Sequence, residues 1–405
     1  MAGVSRRVLS IMPSPTMWIQ EMVSMLRSRG FNPYALHVGQ PGIPPPRELM
    51  DSLLESLRSR VSDIYLYTYT SPRGLQELRE AVSEDLAALG RPMPNPRRGV
   101  VITTGGIEGL YASIASTTDQ GDPVGIVVPA YFHFYSILGL LGNRIVESIS
   151  YPELSLSEEM LKDLFSKTRA VIIANPDNPT GRVLNSSEAR LLADLACDRR
   201  VYLIHDIAYY TLYYEAERVW PERWCYEYVI TVGTYSKDPG IPGWRLGFIA
   251  AEENIADAIA HAREATSYNA PLPSQLLILE YLRGRYREKF LPKIIEEYRS
   301  RRDELVKSLE KLLPEARYRR PEAGIFIYVD LSKYLSKPSD QWARELASEK
   351  GVIVVPGTLF GPGGEKWVRL SFSWEDKYRL REAVEIMSSY LINRARSGLH
   401  SIERS

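Results

Sequence analysis

Lys237 and Arg245 lie eight residues apart in a stretch that also carries the small hydroxyl side chains of Thr234 and Ser236. Strand-like apolar runs precede and follow this stretch, which places the lysine in a loop at a strand end. A nearby arginine repels the lysine ammonium, and partial burial acts in the same direction, so the neutral amine is favoured. A neutral amine can form a Schiff base with an aldehyde. The two hydroxyls and Arg245 are suitable donors for a phosphate.

An imine-forming nitrogen beside an anion-binding cradle is what pyridoxal 5'-phosphate requires. The stretch resembles the Ser-x-Ser-Lys…Gly-x-Arg-x-Gly signature of the fold-type I pyridoxal-phosphate-dependent aminotransferases, class I/II, through residues 234–237 (TYSK) and 243–247 (GWRLG). Thr234 replaces the first serine of the signature and keeps the hydroxyl. Taken alone, the stretch is also compatible with a solvated loop lysine beside ordinary hydroxyls.

Asp206 follows the strand-like run 201–204, and Tyr209 lies three residues further on. An aspartate at the end of a strand can form an ion pair with a protonated pyridine nitrogen, which keeps the ring electron-withdrawing. Residues 175–181 (NPDNPTG) resemble the family motif Asn-Pro-x-Asn-Pro-Thr-Gly. The resemblance implies that Asn178 and Tyr209 bind the 3-oxygen of the cofactor. A helix cap at Asp206 and simple packing of Tyr209 are the alternatives.

Two further elements are expected to hold the ring and the phosphate of the cofactor. A strand, a glycine turn and a helix are predicted over residues 100–110, and a helix N-terminus with free N–H groups binds phosphate. The resemblance assigns backbone N–H groups of Gly106 and Ile107 to this role. Tyr131, two residues after Pro129, takes the family's position for an aromatic ring stacked on the cofactor, whereas a core aromatic is the alternative.

Arg369 lies in the apolar run 367–372 (WVRLSF), where an unpaired charge would be costly to bury. The run matches the family's Val-Arg-Leu-Ser-Phe, in which the arginine binds the substrate α-carboxylate through two parallel hydrogen bonds. The resemblance also assigns Gly39 and Asn178 to the substrate. A structural salt bridge is the alternative for Arg369.

Tyr69 precedes Gly74 and residues 78–79 in the order of the family's Tyr-x-x-x-x-Gly-x-x-x-Leu-Arg. In the family this tyrosine reaches the cofactor phosphate of the neighbouring subunit. The resemblance therefore implies a homodimer in which Tyr69 completes the partner's site. Surface or interface packing is the alternative for this residue.

The composition excludes several other classes of protein. Lys and Arg together number 50, as do Asp and Glu, whereas nucleic-acid-binding proteins usually carry a basic excess. No apolar run reaches the roughly 18 residues of a membrane span, and residues 1–12 lack the apolar core of a signal peptide. Cys197 and Cys225 are too few for a disulfide framework. A protein of the cytoplasm, with no nucleic-acid or membrane partner and no metal, is expected.

Strands and helices alternate through the middle of the chain, which favours an α/β fold with a doubly wound, mostly parallel sheet. The resemblance covers about residues 30–385. We expect residues 46–275 to form a large pyridoxal-phosphate-binding domain, and residues 1–45 with 276–405 to form a smaller α+β domain that closes over the substrate. The pattern also predicts a short strand at 35–38 and one long helical region over about 276–313.

The resemblance implies a ping-pong reaction between an L-amino acid and a 2-oxo acid, with Lys237, Asp206 and Tyr209 as the catalytic residues. A lyase on the same scaffold, such as a carbon–sulfur β-lyase, uses the same residues around the cofactor and is the leading alternative. A binding or regulatory protein without turnover is a third possibility. The side chain of the donor stays open: no second carboxylate-binding arginine can be placed, and tyrosine-rich segments are compatible with aromatic or aliphatic donors.

Overall fold

The computed structural model of the chain describes residues 3–9, 11 and 15–402. The helices of these residues are α1 Arg6–Leu9, α2 Pro15–Ser28, α3 Arg47–Ser59, α4 Gln76–Ala88, α5 Gly106–Thr117, α6 Phe132–Leu141, α7 Glu158–Ser166, α8 Ser186–Arg199, α9 Glu253–Glu264, α10 Leu272–Arg283, α11 Tyr286–Leu312, α12 Ser339–Lys350 and α13 Lys377–Ile402. The strands are β1 Tyr34–Ala35, β2 Val100–Thr103, β3 Pro123–Val128, β4 Arg144–Ile149, β5 Ala170–Ala174, β6 Tyr202–Asp206, β7 Val229–Thr234, β8 Gly247–Ala250, β9 Arg317–Tyr318, β10 Phe326–Asp330, β11 Val352–Ile353, β12 Val355–Pro356 and β13 Trp367–Ser371.

The largest sheet has seven strands in the order β2-β8-β7-β6-β5-β3-β4. Strands β4, β3, β5, β6 and β7 run parallel, and β8 is antiparallel to both of its neighbours, β7 and β2. Helices cover both faces, so the central strands are buried and read as continuous apolar runs. The predicted doubly wound, mostly parallel sheet is confirmed.

Parallel pairing brings the carboxyl ends of β5, β6 and β7 to one edge of the large sheet. The register aligns Ala174 with Asp206, and Asp206 with Val232 two residues before the end of β7. The loops that follow these strands carry the Asn178, Tyr209 and Lys237 segments. Residues far apart in sequence are therefore neighbours in the fold because they follow adjacent parallel strands.

A second, smaller α+β unit combines both ends of the chain. Its antiparallel sheet has the order β12-β13-β10-β9, and β1 from the N-terminal region pairs in parallel with β11. Helices α11 and α13 pack against this sheet around buried side chains that include Leu305, Ile327, Leu370 and Val384. The α+β character expected for both chain ends is thus present.

Two expected elements differ in extent. The strand predicted over residues 35–38 contains only Tyr34 and Ala35, because residues 36–38 leave the short pairing with β11 and lead into the cavity described below. The single helical region predicted over about 276–313 consists of α10 and α11. The chain turns between them at Gly284 and Arg285, which adopts a left-handed φ of 57°.

The two cysteines are joined by a disulfide that connects the last turn of α8 to the segment before β7. The cysteine count led us to expect no disulfide framework, and a single bond is not such a framework. It nevertheless weakens the expectation of a cytoplasmic location, because disulfides are rare in that reducing compartment. Within the described part of the chain, no helix combines the length and apolarity needed to cross a membrane.

Candidate active site

A cavity of about 430 Å³ lies at the carboxyl edge of the large sheet and reaches the small sheet. This volume falls within the range of about 300–1,000 Å³ that is usual for small-molecule sites. Every predicted site residue except Tyr69 lines it: Gly39, Gly106, Ile107, Tyr131, Asn178, Asp206, Tyr209, Thr234, Ser236, Lys237, Arg245 and Arg369. The fold therefore brings together residues that span most of the sequence.

Lys237 extends from the loop after β7 into this cavity. Its Nζ donates a hydrogen bond to the backbone oxygen of Gly39 at 2.6 Å and lies 5.5 Å from the ring centroid of Tyr209. Burial lowers the lysine pKa to about 8, and the charges of Arg369 and Arg245 add to this while Asp206 opposes it. From the sequence we expected Arg245 to repel the lysine charge, but Arg369 lowers the lysine pKa more than Arg245 does. A sizeable share of the amine is neutral at mildly alkaline pH.

Asp206, the last residue of β6, faces the same cavity and is buried. Burial raises its pKa to about 6, although the Ala208 N–H, which donates to Oδ1 at 3.0 Å, and the nearby charges of His205 and Lys237 act to lower it. The described residues 207–220, which directly follow Asp206, contain no α-helix, so the helix-cap alternative does not apply to Asp206. A carboxylate and a partly neutral amine on one cavity suit a flat cationic ring that both side chains could contact.

One end of the cavity has the donors that a phosphate needs. Helix α5 starts at Gly106 and directs its free N–H groups to this end, beside the Thr234 hydroxyl. A Cβ at Gly105, which has φ +83°, would lie 2.5 Å from Nη2 of Arg245, so only glycine lets the guanidinium approach the turn. Ser236 Oγ accepts a hydrogen bond from Thr234 Oγ1 at 3.0 Å. Two hydroxyls, a helix N-terminus and a guanidinium fit the phosphate of the implied cofactor.

Arg369 lies at the other end, where the two sheets meet. Its Nη1 donates to Oδ1 of Asn178 at 3.0 Å and its Nη2 to the backbone oxygen of His37 at 3.2 Å. The Nε is buried without a partner, and among the described residues no carboxylate forms an ion pair with this guanidinium. Burial lowers its pKa to about 10. The structural salt bridge considered above is therefore absent, and a buried cation without a counter-charge suits an anionic ligand.

Two aromatic side chains complete the walls near the lysine. Tyr131 precedes α6, and Tyr209 packs edge-on against Phe326 with 5.8 Å between the ring centroids. Burial raises the pKa of both phenols well above the ordinary value, so both stay protonated and can donate. The cavity thus has aromatic walls and protonated phenol groups that a substituted pyridine could contact.

Tyr69 is the one predicted site residue that lies elsewhere. Its side chain is 82% exposed and contacts Tyr268, with 5.1 Å between the ring centroids. It belongs to an exposed aromatic face formed by residues 64–69 and 268–272. Within one chain it reaches no part of the cavity, so its assignment to a neighbouring subunit stays a prediction.

Several residues that matter for the site were not singled out from the sequence. His37, Phe132, His133, Phe326 and Val355 all line the cavity. Most of them belong to short apolar segments, and such a pattern predicts a core position equally well. Asp238 is another buried group that the sequence analysis missed. Its position directly after the candidate lysine was the signal that could have identified it.

Comparison with known proteins agrees with this geometry. Residues 36–387 match the family described as aminotransferase class I and II. The chain is 30% identical over 389 residues to an aspartate/prephenate aminotransferase of Thermus thermophilus (95% of this chain, 98% of the relative), and 28% identical over 388 residues to an aspartate aminotransferase of Pyrococcus horikoshii (94% and 95%).

A solved structure shows the same likeness in three dimensions. The aspartate aminotransferase from Thermus thermophilus with maleate superimposes with a TM-score of 0.89 at 28% identity, covering 96% of this chain and 100% of that one. With a family match over residues 36–387 and a 30% identical relative aligned over 95% of the chain, one assignment follows: the chain is a member of the class I and II aminotransferase family.

Proposed function

We propose that the protein transfers the amino group of an L-amino acid to a 2-oxo acid, using pyridoxal phosphate bound covalently at Lys237. The observation that carries this proposal is the placement of Lys237 and Asp206 on one cavity, with an unneutralised Arg369 at its end. The lowered lysine pKa and the raised aspartate pKa are perturbations that cluster at catalytic sites.

The residues present fit that cofactor. Asp206 would pair with the ring nitrogen, Tyr131 would cover one face of the ring, and Asn178 with Tyr209 would bind the 3-oxygen. Thr234, Ser236, Arg245 and the backbone N–H groups of Gly106 and Ile107 would bind the phosphate. When bound, pyridoxal phosphate supplies an aldehyde carbon and an electron-withdrawing ring.

Arg369 would bind the substrate carboxylate, with the backbone of Gly39 and the amide of Asn178 beside it. Its two terminal nitrogens can form the paired hydrogen bonds that a carboxylate accepts. The substrate α-carbon would thereby be held near Lys237, whose amine, once the substrate amino group has displaced it from the cofactor, takes the α-proton as a general base. A pKa of about 8 suits this role, since a base is most effective when its pKa lies near the working pH.

The same residues would serve two successive half-reactions in a ping-pong sequence. The first releases the 2-oxo acid of the donor, and a second 2-oxo acid then takes up the amino group. Because the cavity has one carboxylate-binding guanidinium, donor and acceptor would occupy it in turn.

We further propose a homodimer in which Tyr69 reaches the partner's phosphate site, in line with its exposed position. Residues 46–275 would form the cofactor domain, and residues 1–45 with 276–405 the domain that closes over the substrate. A cytoplasmic location is also proposed. In that reducing compartment Cys197 and Cys225 should be free and should react with a thiol label on protein taken directly from cells. A Cys197–Cys225 bond would block labelling of both residues and would contradict the proposed location.

An amino-acid panel tests the proposed activity. The holoenzyme is assayed with each donor and with 2-oxoglutarate or pyruvate as acceptor, and amino exchange that depends on the 2-oxo acid is expected. Release of pyruvate and ammonia from a cysteine conjugate without any acceptor would instead indicate a lyase. The Lys237→Ala variant should lose both turnover and the visible absorbance of the bound cofactor. Full transamination by this variant would refute the assignment of Lys237.

A further inference from the structure

Val355 is the cross-strand neighbour of Arg369 in the small sheet. Directly opposed residues of an antiparallel pair project to the same face, with their Cβ atoms about 5 Å apart. Val355 also lines the cavity. An apolar side chain therefore lies beside the guanidinium that is proposed to bind the substrate carboxylate.

The wall that begins at Val355 continues into a hydrophobic cluster. Ile19 of α2 and Val355 are buried members of this cluster, and Phe132 packs against it. Ile19 and Phe132 both line the cavity, while Phe360 lies behind them, 6.2 Å from Phe132 between ring centroids. This part of the cavity, which we call the apolar wall, is thus one face of a packed core formed by Ile19, Phe132, Val355 and Phe360.

The positive charges on the cavity are few. Among the described lining residues the lysines and arginines are Lys237, Arg245 and Arg369, and each has a place in the proposed function. Burial and the charge of Arg369 lower the pKa of His37 to about 4, and burial lowers the pKa of His133. Both histidines are therefore neutral at neutral pH. Gln20 and Gln40 add uncharged polar groups.

The exposed aromatic face would bring no cation from a partner subunit. Tyr69 and Tyr268 belong to this face, and its residues 64–69 and 268–272 contain neither lysine nor arginine. In the proposed dimer, this face would therefore add aromatic rings and hydroxyls to the neighbouring site, but no second carboxylate-binding group.

From this wall we propose that the preferred amino donor carries an uncharged apolar side chain, aromatic or branched aliphatic, and that aspartate and glutamate are poor donors. The proposal rests on the aminotransferase function above and names the substrate class of the same site. Phe132 and Val355 are the specificity-determining residues, because they lie on the wall between the proposed ring-stacking Tyr131 and Arg369.

The physical reason is the cost of burying a second carboxylate. An apolar side chain placed on the apolar wall leaves water and gains packing contacts. The side chain of aspartate would bring a charge to the same surface, where no cation is free to pair with it, and an unpaired buried charge is strongly disfavoured. The selectivity thus comes both from favourable binding of apolar donors and from the unfavourable burial of acidic donors.

The first experiment follows the donor half-reaction of the holoenzyme, without any acceptor, by the change in visible absorbance of the bound cofactor. L-phenylalanine, L-tyrosine and L-leucine are compared with L-aspartate and L-glutamate. The second-order rate constant for the best apolar donor should exceed that for aspartate by about 100-fold. An equal or larger constant for aspartate would overturn this inference while leaving the aminotransferase function intact. No absorbance change with any amino acid would instead contradict the proposed function.

A variant of the wall separates its role from general damage. Phe132 is half-buried at the first position of α6, so Phe132→Lys can extend a charged end over the cavity, and Phe132→Met is the matched uncharged control. The ratio of phenylalanine to aspartate rate constants should fall at least about tenfold in the lysine variant relative to the methionine variant. Measured by the cofactor spectrum, maleate should bind more tightly to the lysine variant than to the methionine variant, and 3-phenylpropanoate should bind more weakly. An equal ratio in the two variants, with both correctly folded, would refute the assignment of the wall.

Discussion

Arg287 of α11 forms an ion pair with Asp238, the residue that follows Lys237, with 2.8 Å between Nε and Oδ2. The same guanidinium contacts the carboxylate of Asp85 and donates from Nη2 to the hydroxyl of Tyr210 at 2.8 Å. Tyr210 in turn follows Tyr209. One buried cation therefore contacts two loops. In each loop the residue just before the contact, Lys237 or Tyr209, lines the cavity.

Replacing Arg287 by methionine should destabilise the protein by about 3 kcal/mol at neutral pH, because the buried carboxylate of Asp238 and the partly buried carboxylate of Asp85 lose their counter-charge. Thermal unfolding of the apo-protein measures this loss. Burial already raises the pKa of Asp238, so protonation should reduce the loss as the pH is lowered. Arg287→Lys, which keeps the charge, should recover part of the stability. A loss that is the same at every pH would contradict the electrostatic explanation.

The pKa of about 8 predicts how Lys237 reacts with an aldehyde. Only the neutral amine is a nucleophile, so the rate of reaction of apo-protein with pyridoxal phosphate should rise about tenfold per pH unit below 8. Above pH 8 the rate should level off, since most of the amine is then neutral. Stopped-flow absorbance follows the reaction, and Lys237→Ala is the control. A rate that keeps rising to pH 10 would mean that the lysine is not perturbed.

Asp206→Asn should make the apo-protein more stable and the enzyme less active. Burial raises the aspartate pKa from 3.8 to about 6, so the folded state binds the proton more tightly than the unfolded state. Its ionisation therefore costs stability as the pH rises from about 4 through 6, by up to about 3 kcal/mol. Asparagine has no such cost.

The Asp206→Asn gain should appear above pH 6 and vanish below pH 4, as measured by urea unfolding of both apo-proteins. The donor half-reaction should at the same time slow by about 100-fold or more, because the partner of the ring nitrogen is lost. If the variant were less stable than the parent at pH 8, burial of the ionised Asp206 carboxylate would not cost the folded protein stability.

Gly105→Ala should weaken cofactor binding by about 10- to 100-fold, the effect of about 1–3 kcal/mol of backbone strain and steric conflict. The position has φ +83°, and a Cβ there would meet the Arg245 guanidinium. Gly243→Ala is the matched control: Gly243 lies two residues before Arg245, but a Cβ there has no atom within 4 Å. Cofactor dissociation constants for both variants, measured by absorbance titration, decide the outcome. Equal weakening in both would contradict the role of the turn.

Much of the fold could be predicted because its signals are local. The β5 run of apolar residues is typical of a strand buried on both faces, and the structure has β5 at Ala170–Ala174. The residue types around Lys237 indicated its chemistry for the same reason: hydroxyls, an arginine and a lysine stand close together in sequence. The identities of Asn178, Asp206 and Arg369 came from motifs of a few residues each.

The tertiary structure decided what depends on distance and burial. Arg369 lowers the Lys237 pKa more than Arg245 does, although Arg245 is much nearer in sequence. This follows from the packing of the small sheet, which carries Arg369, beside the large sheet. The Arg287 ion pair with Asp238, the disulfide and the apolar wall beside Val355 arise in the same way. Sequence spacing reports neighbours along one strand or helix, whereas solvent exclusion and charge pairing depend on which elements pack together, and only the folded chain brings these into contact.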